Sequence, residues 1–527
     1  MINRQPFSSS GFNRLPALLL SLALAQISAC TVGPDFARPT PPNQTQYSND
    51  KRSPETAKAL QTGKELPGQW WYLYRSNALS QLIALAIKNN PDLQSAQAAL
   101  AQAQETATAK KSSLLPSLDA ETYSTRQLIS SSQYGNPSGS SSMFSLYNAS
   151  VKVSYTLDIF GSIRRQIENL EAQAEYQKFE LEATFLTLAG NIVTTAIKEA
   201  SLREQIAAYE EIIASQAQQL AVTEQQFDLG STSQAEVLAQ QSSLEQFRAN
   251  LPPLKLELEQ TRHQLATLIG QSAAQPLTVQ FKLSDLQLPQ KLPLSLPSKL
   301  VQQRPDIRAQ EALIHAATAQ IGVAVASVFP ELTISGNAGT IATDIGQLFV
   351  PGSEIWSITA DLLQPVFHGG DFTHKRSAAV AYYDQAVAKY RSTVLTALNN
   401  VADTLSALEW DAEAFKTQQT AEQAASASLE LTRAQHQLGG ASHLTLLNAH
   451  REYQQAKIGR IKAEAARLAD TAALFQALGG GWWQRNNLAE TLQANRDAQQ
   501  IPCSFIECWI NPLPKPKPEP LSLPVKK

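Results

Sequence analysis

Three histidines, His436, His443 and His450, fall seven residues apart near the C-terminal third of the chain. Imidazoles in such a series could ligate a metal or change charge near pH 6.5. No carboxylate or cysteine completes a ligand set beside them, so the pattern predicts a solvated, titratable patch and no metal site. The three cysteines are Cys30, Cys503 and Cys508. Cys30 follows Ser28 and Ala29 at the end of an apolar stretch, Leu15 to Ile27, with Arg4 and Arg14 ahead of it. About a dozen apolar residues suit a signal-peptide core and are too few for an ordinary membrane span. The pattern is that of a bacterial lipobox. It predicts cleavage before Cys30, diacylglycerol on its sulfur and an acyl chain on its amine, which together suffice for stable anchoring. Thr31, where an Asp would retain the protein in the inner membrane, favours the outer membrane. Cys503 and Cys508 sit in a Pro-flanked tail and could close a small disulfide loop in an oxidising compartment.

The sequence has no Walker-type phosphate loop, no HExxH and no GxSxG elbow. It therefore reads as a non-enzyme without a cofactor, and as a chain that does not power transport itself. A net charge of -3 excludes a broad nucleic-acid surface.

The elements that would position any site come in two copies. Asn90-Pro91-Asp92-Leu93 and Arg304-Pro305-Asp306-Ile307, 214 residues apart, each open a helical run. Pro costs nothing at the first helical position, and the following Asp meets the positive end of the dipole. Phe227 to Ser231 and His436 to Gly440 each hold a Gly that ends one long helix before another begins. From Ser162 to Leu229 there is no Pro and only Gly190; from Asp371 to Leu438 there is neither. Such a stretch reaches ~100 Å if unbroken and must pair with antiparallel neighbours.

Four strand-like runs alternate with period two. In one, Val151, Val153, Tyr155, Leu157 and Ile159 alternate with Lys152, Ser154, Thr156 and Asp158. Runs around Leu118, Leu332 and Trp356 behave alike. This is a membrane-barrel pattern with an apolar outside and a wet inside, where Asp158 and Asp361 would tune selectivity. Four strands cannot close, and an open edge in lipid leaves backbone groups unpaired. The chain therefore needs copies of itself: at least two, and three for a lumen that passes solutes. Around a threefold axis the histidines would form rings.

The predicted boundaries are a signal peptide 1–29, a lipidated segment 30–75, a first repeat 76–295, a second repeat 296–480 and a Pro-rich tail 481–527. Strands are expected at about 117–127, 149–160, 331–340 and 354–366. Long helices are expected at about 77–115, 162–229, 232–270, 305–328, 371–438 and 441–478.

Cys30-Thr31-Val32-Gly33-Pro34-Asp35-Phe36, Asn90-Pro91-Asp92-Leu93, Leu157-Asp158-Ile159-Phe160-Gly161, Leu296-Pro297-Ser298, Arg304-Pro305-Asp306-Ile307 and Gln364-Pro365-Val366-Phe367 together resemble the hallmarks of the TolC-like outer-membrane factors, in their lipoprotein branch. The resemblance spans about residues 30–480. It implies an α+β fold, a homotrimer with a 12-stranded barrel, and a helical tunnel through the periplasm. It implies work with a periplasmic adaptor and an inner-membrane pump, of the resistance-nodulation-division type, that expels drugs or other toxic compounds. Leu444-Thr445-Leu446-Leu447-Asn448-Ala449-His450-Arg451 resembles the segment that closes the tunnel at its periplasmic tip, with Arg451, Asn448, Leu444 and the facing His436 as gate residues. Relatives commonly carry Asp at the place of Asn448 and Tyr at the place of His436, so a charge-assisted bond from Arg451 becomes a neutral one. The competing reading is a periplasmic coiled-coil lipoprotein without a pore.

Overall fold

The computed structural model describes residues 31–44, 46–47, 60–130, 140–275, 277, 279–289 and 291–485. The signal peptide, Cys30, Cys503 and Cys508 lie outside the described residues. The elements are β1 (Leu60–Thr62), α1 (Asn77–Asn89), α2 (Pro91–Lys111), β2 (Ser117–Ile129), β3 (Ser142–Leu157), α3 (Ser162–Asp228) and α4 (Gln234–Leu268). They continue with β4 (Leu292–Leu294), α5 (Pro297–Gln303), α6 (Pro305–Ala326), β5 (Glu331–Ala342), β6 (Glu354–Leu363), α7 (Asp371–Gln437) and α8 (His443–Ala477).

The long helices form two antiparallel hairpins of matched length. α3 and α7 each have 67 residues, and α4 and α8 each have 35. Their turns reverse at Gly230 and Gly439, with φ of 75° and 77°, where a side chain would be strained. Ser233 and Ser442 then cap the returning helices by accepting from Glu236 N and Thr445 N. α8 packs along α7 and α3, and α6 lies between α3 and α7.

The apolar core sits part-way along the helices. Trp70, fully buried, meets Phe475 at 5.6 Å and Tyr74 at 6.5 Å between ring centroids. The Tyr74 hydroxyl donates to Leu468 O at 2.8 Å, which ties the N-terminal segment to α8. β1 and β4 form a short parallel pair at the edge of this core. Three residues each are too short for a periodic signal, so the sequence pattern had no trace of them.

Several boundaries differ from expectation. The helix expected at 77–115 is two helices, because Pro91 forces Asn90 into extended backbone. The Asn90 carboxamide then accepts from Leu93 N at 3.0 Å and donates to Leu268 O at 2.9 Å. β3 starts at Ser142, not near 149. Ser142 to Asn148 pair with Ile129 to Tyr123 through backbone bonds, and their side chains do not alternate cleanly. β6 ends at Leu363, because Pro365 has no N–H for the ladder.

Beneath the sheet, the segment after Cys30 is strapped to both halves of the chain. Arg165, only 3% exposed, donates Nε to Val32 O at 3.1 Å and Nη2 to Gly33 O and Asp35 Oδ1. Its Nη1 donates to Glu168 at 2.7 Å. Gly33 has φ 97°, and a side chain there would meet Gly322 Cα at 2.5 Å. Phe36 stacks on His315 at 4.4 Å. Replacing Arg165 with Ala leaves the Val32 and Gly33 carbonyls without donors. We predict a loss of about 2–3 kcal/mol, read as a lower thermal-unfolding midpoint together with new protease cleavage within residues 31–47.

Candidate functional site

The four long strands form one antiparallel sheet in the order β2-β3-β5-β6. Register places like with like across it. Leu118, Val153, Gly336 and Ile358 form one row, and Ala120, Val151, Ala338 and Trp356 another. On the opposite face Asp119, Lys152, Asn337 and Ser357 form a polar row, with opposite charges on directly paired residues. Two rows along the same face, the Thr156 and Thr333 hydroxyls are hydrogen-bonded at 3.0 Å, next to Asp361. The apolar face is open: Trp356 is 77% exposed, and Ile358, Leu362 and Leu118 are exposed too. No helix among the described residues is long and apolar enough to cross a membrane.

Asp158 is not part of the polar face, contrary to the expectation from its alternation. The strand ends at Leu157, and the Asp158 carboxylate turns to the start of α3. It accepts from Ile163 N and Arg164 N, both at 2.9 Å. It thus caps the positive end of a 67-residue helix. Asp361 remains exposed on the sheet.

At the other end of the hairpins, the residues singled out from sequence gather at one tip. Leu444, Asn448 and Arg451 lie at i, i+4 and i+7 on α8, and all three are exposed. His436, at the end of α7, is half-buried, with Nδ1 3.0 Å from Ala441 O across the turn. No hydrogen bond joins Arg451 to Asn448 among the described residues.

The histidines depart from the solvated patch expected. His450 is only 6% exposed, packed within the helices. Burial, then the nearby Arg433, pull its pKa down to about 4. His443 is half-buried with Nε2 3.1 Å from Gln240 Oε1, and burial lowers its pKa as well. Among the described residues no cluster of His, Cys, Asp or Glu could hold a metal. Sequence reasoning passed over Gln240 and Gln216. Glutamines recur throughout these helices, and nothing in their spacing marks the two that are buried.

A second group escaped notice. Asp411 of α7 and Asp470 of α8 are hydrogen-bonded to each other. Burial, and then the Asp411 carboxyl, push the Asp470 pKa well up.

The sequence profile described as "Outer membrane efflux protein" matches residues 82–271 and 296–480, which is most of the chain. The chain belongs to the outer membrane efflux protein family. Among curated relatives, it is 29% identical to the pyoverdine export outer membrane protein OpmQ of Pseudomonas putida, covering 88% of this chain and 97% of that one. It is 28% identical to the toluene efflux pump outer membrane protein TtgC of Pseudomonas putida, covering 91% and 98%. Among solved structures, the outer-membrane channel OprN matches with a TM-score of 0.78 at 27% identity, over 86% of this chain and 100% of that one. This efflux protein is thus a channel of the outer membrane with a TolC-like, mainly helical fold. It is a duct and not an enzyme, and the pore-free tether is not favoured.

The Asp470 carboxyl binds its proton more tightly in the folded protein than in the unfolded chain. The folded state then holds more protons above pH ~4, and stability falls as pH rises from there. We predict that Asp470→Asn, which fixes the neutral form, raises the thermal midpoint at pH 8 more than at pH 5.

Proposed function

We propose that this efflux protein works as a passive homotrimeric duct, closed at its periplasmic tip and opened by partners. The four-stranded sheet carries the reading. Its apolar face suits lipid and its polar face suits a wet lumen, yet β2 and β6 leave two edges unpaired. An open edge in lipid costs several kcal/mol per backbone group. The two edge strands run in opposite directions. A second copy can therefore add β6 to β2 and keep the ladder antiparallel. Three copies give twelve strands, above the roughly eight at which a barrel closes.

Geometry and sequence together support the remaining assignments. Thr31 abuts Gly161 at the junction of sheet and helices, so acyl chains on Cys30 would enter the membrane beside the foot of the barrel. At the other end, Arg451, Asn448 and Leu444 are exposed on α8, with no hydrogen bond or ion pair among the described residues. A threefold axis running past α8 would bring three copies of this stripe together, with His436 at its rim. We assign these four residues to the gate. The hairpin tips are where a periplasmic adaptor and an inner-membrane pump of the resistance-nodulation-division type would engage. Solutes would be toxic organic compounds, as the name of the toluene-pump relative suggests. Cys503 and Cys508 would form a disulfide loop in the tail.

The test is single-channel conductance in planar bilayers. The wild type should be mostly closed, with rare small openings. Arg451→Ala should raise the open probability about tenfold, the effect of losing a hydrogen bond from a charged donor. If neither protein conducts and cross-linking yields no trimer, the duct reading fails.

A further inference from the structure

Near the tip, α3, α4 and α8 are joined by a polar relay of two buried glutamines and a half-buried histidine, which a ring contact extends to α7. Gln240 of α4 and Gln216 of α3 are 0% and 1% exposed. Gln240 Nε2 lies 2.8 Å from Gln216 Oε1 and 3.2 Å from Gln216 O. Facing two oxygens, that atom must be the amide nitrogen and must donate. Gln240 Oε1 is then left as an acceptor. His443 Nε2, 3.1 Å away on the first turn of α8, is therefore the donor. His443 packs in turn against His436 of α7, with ring centroids 5.8 Å apart. A further polar tie between the hairpins is the ion pair of Lys457 with Glu211, whose carboxylate is exposed. Exposed pairs contribute little, whereas a buried donor or acceptor is costly to leave unmade.

We propose that Gln240 is a positioning residue of the gate. Its carboxamide oxygen, oriented by Gln216, accepts a hydrogen bond from His443 Nε2–H and so holds the first turn of α8, with Leu444 next in line, against the first hairpin. Opening must break this bond. The inference rests on the tip being the gate.

The surroundings make the catch responsive to acid. Around His443 stand His436 on α7, which lowers its pKa, and Glu236 on α4, which raises it less than burial lowers it. α3 faces the relay with the neutral Gln216. Further along α8, His450 meets Arg433 of α7. Both histidines bind protons less readily when packed than when solvated. A released tip therefore gains protons that the closed tip refuses, and opening becomes easier as pH falls below ~6.5.

The experiment is open probability of the full-length protein in planar bilayers at pH 7.5 and pH 5, with Arg451→Ala alongside. The wild type should open more often at pH 5. Gln240→Leu removes the acceptor and should raise opening at pH 7.5 about fivefold, the effect of one lost hydrogen bond. His443→Leu, made independently in case the first variant assembles poorly, should match it, and the double variant should add nothing. Gln240→Glu places a carboxylate against His443, so acid should create an ion pair and close the channel. That reversal of the pH profile is not expected of a merely structural residue. If Arg451→Ala opens the channel while the Gln240 and His443 variants keep the wild-type opening and pH response, the catch is refuted and the gate stands. If Arg451→Ala also stays closed, the gate reading fails and takes this inference with it.

Discussion

Every backbone N–H and C=O of a sheet in lipid must find a partner, and four strands cannot supply one for each edge. The rest of the molecule follows from that constraint. The alternation on each strand sorts residues so that one face can meet hydrocarbon. On the proposed reading the chain would meet copies of itself, and a symmetric ring of copies would leave a lumen down its centre. The edges also explain why the strap beneath the sheet is so firmly held. A sheet that must meet its neighbours in register gains from a rigid footing, and Arg165, Gly33 and Gly322 lock the start of α3 to α6 at that level.

Below the footing the physics changes. Helices of 67 residues cannot share one globular core, so the large apolar side chains concentrate around Trp70, Tyr74 and Phe475. Much of the remaining helical surface is Ala, Gln, Ser and Glu. These residues permit close approach without demanding it. Toward the tip, a small apolar cluster of Leu429, Leu446 and Ala449 holds α7 to α8 within the second hairpin, and among the described residues the polar ties between the two hairpins there include an ion pair with an exposed carboxylate and the glutamine–histidine relay. A region held in this way is one from which a hairpin can be displaced at modest cost.

How much could be read beforehand follows the same division. Elements with a long period were legible: the long helices from their lack of Pro and Gly, and the strands from alternation. The turns were legible because Gly230 and Gly439 are chemically distinctive. Short or irregular pieces were not. β1 and β4 have three residues each, the first half of β3 is held by backbone bonds that leave no side-chain signature, and Asp158 kept the strand's alternation one residue after the strand had ended. The tip was legible in part. Leu444, Asn448 and Arg451 share an exposed face of α8, as helical spacing requires. The burial of His450, by contrast, depends on which face of α8 meets α7 and α3, and in a helix this polar no apolar stripe announces it.

The tip chemistry gives a reason for the buried glutamines beside His443. Asn448 carries no charge, so Arg451 cannot form the ion pair there that a carboxylate would allow, and a neutral partner holds a guanidinium less tightly. On the proposed reading, a closed state with weaker bonds across the axis would need more of its stability from within each chain. Gln216, Gln240 and His443 would supply it in a form that costs little to bury, because they are hydrogen-bonded to one another and none need carry charge at neutral pH. Neutrality is also what makes such a catch conditional. A carboxylate–guanidinium pair keeps its charges across the physiological range, whereas an imidazole held without its second proton gives way when protons become abundant.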